Sequence, residues 1–141
     1  MEQRLTLLTL GVADLGRSSA FYEALGWRRS VREAEGVAFF QLGGIALSLY
    51  PVESLSADLG RPLPAPGHAA ITIAHNCRTR EEVDAVIALF VQAGGSEIRA
   101  GHAMDWGGYC GFAADPDGHV WEIAWNPGFP LDEAGGVRLP D

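Results

Sequence analysis

Glu122 is the residue whose type and position in this sequence most clearly suggest chemistry. It lies in the predicted strand 119–125, where successive residues fall on opposite faces. The bulky side chains share one face, which we expect to pack on a helix, and Glu122 falls on the other between Val120 and Ala124. A carboxylate on an apolar face suits a general base or a hydrogen-bond acceptor for a ligand. The alternative is a structural carboxylate paired with His68 or with an arginine.

His68 and Thr72 are further candidates for ligand contacts, because both are expected on the inward face of the predicted strand 68–75. Tyr50, at the end of the predicted strand 45–50, is expected to face inward too and could offer a hydroxyl. These inward faces carry small, mostly apolar residues with a few polar groups. That mixture is typical of a small-molecule pocket.

Trp106 and Tyr109 lie in a glycine-containing segment, 104–109, that could form the rim of such a pocket. Glycine permits close approach of the backbone, and the two aromatic rings could stack on a ligand. The alternative is a tight turn whose aromatic residues only pack locally. The sequence is consistent with both interpretations.

The elements that would position these residues occur twice along the chain. Residues 4–50 and 68–125 each read as a strand, a helix and three strands. The first module comprises a helix at 14–25 and strands at 4–12, 27–33, 37–42 and 45–50. The second module comprises a helix at 79–93 and strands at 68–75, 97–104, 109–114 and 119–125.

A βαβββ module covers one face of its sheet with its helix and leaves the other face open. Two such modules can place their open faces around one cavity. We therefore expect a single α+β domain, residues 1–141, with two tandem βαβββ modules forming a cupped sheet around a shared cavity. The proline-rich segment 51–67 is expected to be a linker, and residues 126–141 an irregular C-terminal extension.

Local signals delimit several of these elements. Thr79 and Glu82 form a T-x-x-E capping box at the start of the second helix. The Gly-Gly pair at 43–44 predicts a tight hairpin turn, and the D-P-D-G sequence at 115–118 predicts another. His119 follows that turn and is expected to be exposed, with no assigned role.

Composition narrows the possible functions. The 141 residues are 48% apolar and 20% charged, with a net charge of −8 and no lysine. A chain without a basic stripe is a poor partner for nucleic acid or an anionic membrane surface. No apolar run approaches the ~20 residues of a membrane span, and the N-terminus shows no secretion signal. Cys77 and Cys110 match no metal-binding spacing, so we expect two reduced thiols in a cytoplasmic protein.

Two motifs resemble a known family. The sequence D-L-x-R-S-x-x-F-Y at 14–22, followed by Leu-Gly-Trp at 25–27, precedes D-P-D-G-x-x-x-E at 115–122. In this order and spacing they resemble the vicinal oxygen chelate superfamily of glyoxalase I, bleomycin-resistance proteins and extradiol dioxygenases. The resemblance implies the paired-module fold to about residue 125, and a homodimer. It implies no single reaction, because members of the family catalyse many different reactions with the same fold.

Metal-using members of that family take four ligands from inward positions, which the resemblance maps to Leu7, Ala46, His68 and Glu122. Leucine and alanine cannot coordinate a divalent metal, whereas histidine and glutamate can. Mononuclear sites usually have three or more protein ligands. A third ligand could come from His102, Asp105 or His75. We therefore expect no metal and no other cofactor; if a metal does bind, its ligands include His68 and Glu122.

The resemblance and the inward residues together favour a glyoxalase/bleomycin-resistance-like protein that binds a small organic molecule in the inter-module cavity without a metal. The alternative is an enzyme, a lyase or dioxygenase that uses Glu122 and His68 with or without a divalent metal. Glu122 is the candidate catalytic residue. The ligand and the existence of a reaction stay open at this point.

Overall fold

The computed structural model describes residues 1–137 and 139. The chain divides into two compact units, Met1–Ala69 and Ala70–Asp141. The predicted extension 126–141 includes residues 138, 140 and 141, which lie outside the described residues.

The first unit contains one four-stranded sheet and two helices. Its elements are β1 (Leu7–Val12), α1 (Leu15–Ala24), β2 (Arg29–Ser30), β3 (Ala38–Leu42), β4 (Ile45–Pro51) and α2 (Val52–Leu59). The strand order of this sheet, sheet one, is β1-β4-β3-β2. β1 runs parallel to β4, and the other pairs are antiparallel. Asp14 caps α1, where its carboxylate accepts a hydrogen bond from the Arg17 amide at 2.9 Å.

The helix α1 covers one face of sheet one. The Tyr22 ring of α1 lies 5.8 Å from the Phe40 ring of β3, and Phe40 pairs with the buried Leu47 of β4. The opposite face, the distal face of sheet one, carries Leu7, Thr9, Gly11, Ala46, Ser48 and Tyr50. On it the Ser48 hydroxyl donates to Thr9 Oγ1 at 2.8 Å. Leu7, Ala46 and Tyr50, which were expected on inward faces, thus lie together on this distal face.

The second unit repeats the strand–helix–three-strand order. Its elements are β5 (Thr72–Asn76), α3 (Arg80–Gln92), β6 (Ser96–Ala103), β7 (Tyr109–Ala114) and β8 (Val120–Trp125). The strand order of sheet two is β5-β8-β7-β6, with β5 parallel to β8. Thr79 Oγ1 accepts a hydrogen bond from the Glu82 amide at 3.2 Å, and the Glu82 carboxylate accepts one from the Arg78 amide at 2.6 Å. The α+β fold of two tandem βαβββ modules is confirmed.

The helix α3 packs on one face of sheet two. Phe90 of α3 and Trp121 of β8 are 3% and 4% exposed, and their ring centroids lie 5.9 Å apart. Val83 and Ile87 of α3 are buried with them. The predicted direction of Trp121 is therefore confirmed, and Glu122 must point to the other face because side chains alternate along a strand.

The prediction that residues 51–67 form a linker without helix is wrong, because Val52–Leu59 form α2. The four prolines of the segment lie outside this helix, and Pro51 occupies its N-cap position. Gly60 ends α2 in the left-handed region at φ 67°. A side chain at Gly11 would contact Val52 and Leu55, so α2 lies over one end of the distal face of sheet one.

Three predicted strands are clearly shorter than expected, and the first of them, β1, begins at Leu7 rather than at residue 4. β5 begins at Thr72 rather than at residue 68, and β2 covers only Arg29–Ser30 of the expected 27–33. Val31 adopts a positive φ of 48°, which breaks the extended conformation directly after β2. The Arg29 guanidinium then donates to the carbonyl oxygens of Ala34 and Val37, at 2.9 Å each, and holds the following loop.

The D-P-D-G turn that precedes β8 forms as predicted, and it contains a buried aspartate whose carboxylate contacts a histidine. Asp115 Oδ1 accepts hydrogen bonds from the amides of Asp117 and His119 at 2.9 Å each, and Oδ2 lies 2.8 Å from His119 Nδ1. The His119 side chain is only 14% exposed. The prediction of an exposed His119 without a role is therefore wrong, since its imidazole helps to fix the turn.

None of the helices in residues 1–137 has the length and apolar character needed to cross a membrane.

We predict that Trp121→Ala or Phe90→Ala lowers the free energy of unfolding by ~3–5 kcal/mol, because each removes a large buried ring. Val91, on the exposed side of α3, is a control, and Val91→Ala should change it by less than about 0.5 kcal/mol. Urea denaturation measures all three. A similar small loss in all three variants would contradict the assigned helix and strand faces.

Candidate functional site

The face of sheet two opposite α3, here called the distal face of sheet two, carries Glu122 and Thr72, two of the four polar side chains predicted to face inward. Strand register assigns its members, since residues that pair across strands point to the same side. They are Thr72, Ala74, Asn76, Ser96, Arg99, His102, Cys110, Phe112, Ala114, Val120, Glu122 and Ala124. Glu122 and Thr72 are therefore brought onto one face, as predicted.

Glu122 lies on the second strand in from the β5 edge of this face. It pairs with Ala74 on one side and with Phe112 on the other, and Phe112 pairs in turn with Arg99. Four residues thus form one row across the sheet, in which the Phe112 ring separates the Glu122 carboxylate from the Arg99 guanidinium. Among residues 1–137 and 139, the Glu122 carboxylate forms no hydrogen bond or ion pair with another side chain. It is free to accept from a bound molecule.

Arg99 was not predicted as a site residue, and the reason is two β-bulges in β6. Register shifts separate Glu97 from Arg99 and Arg99 from His102. Glu97 pairs with Ala113 on the α3 face, so regular alternation would place Arg99 on that face too. The bulges instead put both Arg99 and His102 on the distal face. Bulges are a common way to redirect a side chain next to a functional site.

His102, considered from the sequence only as a possible metal ligand, has a defined orientation on this face. Its Nδ1 lies 3.0 Å from the carbonyl oxygen of Ala100. A carbonyl oxygen only accepts, so Nδ1 carries the hydrogen and the other ring nitrogen, Nε2, is an acceptor in the neutral imidazole. His102 pairs with Cys110, one row away from Glu122. The face therefore offers a second proton acceptor besides the carboxylate.

The pKa of the Cys110 thiol depends on burial and on two charged groups near it. Burial raises the pKa of the Cys110 thiol, the nearby Glu122 carboxylate raises it further, and the Arg99 guanidinium lowers it. These opposing effects agree with the strand register, which puts all three side chains on one face. Cys77, by contrast, is influenced by burial and then by Glu82, which raise its pKa to about 11.

Tyr109 does not lie on the same face of sheet two as Glu122. It pairs with Trp125 on the α3 face, and its hydroxyl donates to the Asp84 carboxylate of α3 at 3.0 Å. The Arg80 guanidinium lies 5.9 Å from the Tyr109 ring centroid and 5.0 Å from that of Trp125. Tyr109 thus attaches α3 to the end of the sheet.

Trp106 lies in the turn between β6 and β7. The Met104 amide donates to the Gly108 carbonyl oxygen at 3.0 Å, and the Gly107 amide donates to that of Met104 at 2.9 Å. A side chain at Gly108 would collide with the Trp106 ring, so the ring packs against its own turn. This is the local packing that the sequence left open, although the ring remains 48% exposed.

His68 and Tyr50 are placed in the first unit. His68 lies outside β5 in a turn, where its Nδ1 is 3.0 Å from the Pro66 carbonyl oxygen. Strand alternation therefore no longer assigns it an inward direction. A hydrogen bond with Asp58 of α2 raises the pKa of Tyr50, with burial as the second cause. Asp58 of α2 thus lies close enough to the Tyr50 hydroxyl to act on its pKa.

The residues present do not fit the four-ligand metal site that the family resemblance implies. Leu7 and Ala46 are direct register partners on the distal face of sheet one, and neither can coordinate a cation. No three histidine, cysteine, aspartate or glutamate residues in the described part of the chain form a group that could hold a metal ion.

Comparison with known proteins gives a consistent family match. The model of the Glyoxalase/Bleomycin resistance protein/Dioxygenase superfamily matches residues 4–123. A glyoxalase-related enzyme from Fulvimarina pelagi, known as a crystal structure, is 36% identical with a TM-score of 0.92, and the match covers 99% of this chain and 100% of that chain. No curated protein matches.

More distant structures share the fold. A hypothetical protein from S. aureus is 25% identical with a TM-score of 0.78, covering 89% of this chain and 95% of its own. Lactoylglutathione lyase from Agrobacterium tumefaciens is 23% identical with a TM-score of 0.66, over 89% and 95% of the two chains. At that identity the likeness concerns the fold alone.

We predict that Glu122→Gln lowers the pKa of Cys110 and that Arg99→Gln raises it, because each removes one of the two charges acting on the thiol. The Cβ chemical shift of ¹³C-labelled cysteine, followed against pH, measures both changes. Cys77 is the internal control, since neither charge is among the causes of its shift. Equal effects on both thiols, or none on Cys110, would contradict the assigned register of β6, β7 and β8.

Proposed function

The chain belongs to the glyoxalase/bleomycin resistance protein/dioxygenase superfamily, and from this premise we propose that it binds a small organic molecule on the distal face of sheet two without a metal. The observation that carries the proposal is the Glu122 carboxylate, which lies on this face among Ala74, Phe112 and Ala124 and has no side-chain partner in the described part of the chain. A half-buried carboxylate without a partner is unfavourable unless a ligand or water satisfies it.

The surrounding residues support a molecule of mixed character. Phe112 is half-buried and supplies an aromatic surface, whereas Thr72 and Arg99 are exposed and polar. Binding sites for small molecules commonly combine an apolar lining with a few oriented polar groups. Glu122 is the acceptor in this arrangement, and Trp106 stays a candidate for contacts from the β6–β7 turn.

An enzymatic reaction is the second candidate function. A glyoxalase-related enzyme is 36% identical to this chain, and the distal face holds two proton acceptors, Glu122 and His102 Nε2. A general base needs such a group within hydrogen-bond reach of the proton that it removes. Assays with the hemithioacetal of methylglyoxal and glutathione, and with a catechol, distinguish turnover from binding alone.

We predict that Glu122→Gln and Glu122→Ala both fold and lose affinity for small molecules that co-purify with the wild-type protein, by roughly tenfold or more. If the charge matters, glutamine loses nearly as much as alanine; if only the hydrogen bond matters, glutamine keeps most of the affinity. Native mass spectrometry, followed by extraction and identification of the bound molecules, measures the loss.

Glu97→Gln is the matched control, because Glu97 lies on the α3 face of the same sheet and is exposed. It should leave the affinity unchanged. For the Glu122 variants, we expect the free energy of unfolding to change by less than about 1 kcal/mol, since no ion pair is broken. A loss of stability of roughly 3–5 kcal/mol with unchanged affinity would instead show that Glu122 is a structural residue.

We further predict that the purified protein retains no stoichiometric zinc, nickel, manganese or iron after dialysis at neutral pH. Leu7 and Ala46 remove two of the four ligand positions that the family resemblance implies. Elemental analysis by plasma mass spectrometry checks this. A near-equimolar metal that disappears in both Glu122→Gln and His68→Ala would contradict the prediction and favour the enzyme.

A further inference from the structure

We propose that the molecule bound on the distal face of sheet two carries an anionic group, a carboxylate or a similar oxyanion, that binds Arg99, and a hydroxyl or amino group that donates to Glu122. This inference rests on the proposed function and adds to it the chemical class of the ligand, a small organic acid with a second, hydrogen-bond-donating group.

The described arginines of the second unit have distinct surroundings. The Arg78 guanidinium donates to the carbonyl oxygens of Asp132 and Glu133, at 2.8 and 3.3 Å. Arg80 lies over the rings of Tyr109 and Trp125. Arg99 is exposed and, within residues 1–137 and 139, forms no side-chain hydrogen bond or ion pair. It is therefore the arginine available to an external anion.

The position of Arg99 results from an irregular backbone. The bulge between Glu97 and Arg99 turns the guanidinium from the α3 face to the distal face of sheet two, where it pairs with Phe112. Because a bulge disrupts the strand ladder, it is typically a specific feature of a fold and not a tolerated defect. Here its effect is to add a cation to the face that carries Glu122.

Arg99 and Glu122 share one row but do not pair with each other. Phe112 lies between them, so their Cα atoms are separated by two strand spacings, or roughly 10 Å. Two opposite charges that flank an aromatic ring can engage the two ends of one molecule while its apolar part covers the ring. The guanidinium binds carboxylates and other oxyanions through two parallel hydrogen bonds, which favours an acid at that end.

A fragment panel of matched triples tests the inference. Each triple has one apolar scaffold with a hydroxyl group and carries, in turn, a carboxylate, a carboxamide or an aminomethyl group. Two-dimensional ¹H–¹⁵N spectra of the wild-type protein locate binding through the amides of Ala74, Phe112 and Ala124. We expect the carboxylates to bind there roughly 10- to 100-fold more tightly than the amides, the range typical of a charge-assisted hydrogen bond.

Four variants separate the contributions of Arg99, of net charge and of Glu122. Arg99→Gln should remove the preference for the carboxylate, and Arg99→Lys should restore part of it through charge alone. Arg32→Gln changes the net charge equally from an exposed loop of the first unit and should leave the preference intact. Removing the hydroxyl from a scaffold should weaken binding to the wild type but not to Glu122→Ala, which has no acceptor at this position.

The outcomes distinguish this inference from the proposed function. Amides or amines that bind the distal face as tightly as their carboxylates would overturn the role of Arg99 and leave the site itself intact. If Arg99→Gln still binds carboxylates more tightly than the matching amides, the role of Arg99 is likewise overturned and the site itself stays intact. If no member of any triple perturbs Ala74, Phe112 or Ala124, both the ligand class and the binding site are wrong.

Discussion

The contact between Trp121 and Phe90 is the interaction on which the rest of the site depends. With Trp121 fixed against α3, the period of two along β8 leaves Glu122 only one direction, away from the helix. A register slip of a single residue would place the carboxylate in the apolar core and the indole in the open. Such an exchange would expose a large ring and bury a charge, and both changes are unfavourable. The direction of Glu122 is thus maintained by the core.

The two units have the same order of elements in their modules, but their distal faces differ in chemical character. In the first unit, α2 lies over one end of the distal face, and Leu7 and Ala46 make the other end apolar. In the second unit, the distal face keeps a carboxylate, an imidazole and a guanidinium. Since the modules share their order of elements, this difference arises from individual side chains and from one added helix, which is how a common scaffold hosts different chemistry.

Regular alternation is what made much of this fold predictable. The faces of β1, β4 and β8 followed from the sequence, because large apolar residues recur at every second position and core packing enforces that period. Both turns at 43–44 and 115–118 followed from glycine and proline chemistry, and Gly43 indeed adopts a positive φ of 62°.

The errors occurred where the backbone departs from a repeating pattern. α2 is a short helix flanked by prolines at 51 and 62, and such flanking prolines are typical of a linker, so the sequence did not predict it. His68 was assigned a face by extending a strand that starts only at Thr72. Arg99 could not be found by alternation at all, because the two bulges of β6 change the count, and a bulge depends on pairing with a neighbouring strand. The part of the candidate site that could not be predicted from the sequence is therefore the part that depends on pairing between strands distant in sequence.

The bulges of β6 have a further consequence, which concerns the assembly of the protein and not its ligand. Among the described strands, β6 is the outer one of sheet two, and without the bulges its outer edge would be a regular row of amide and carbonyl groups. A regular row of this kind is a template on which another chain can add a strand. The two extra residues interrupt its hydrogen-bonding rhythm, and Arg99 leaves a cation beside it. The same irregularity that places Arg99 on the distal face is thus of the kind by which sheet edges avoid pairing with other chains.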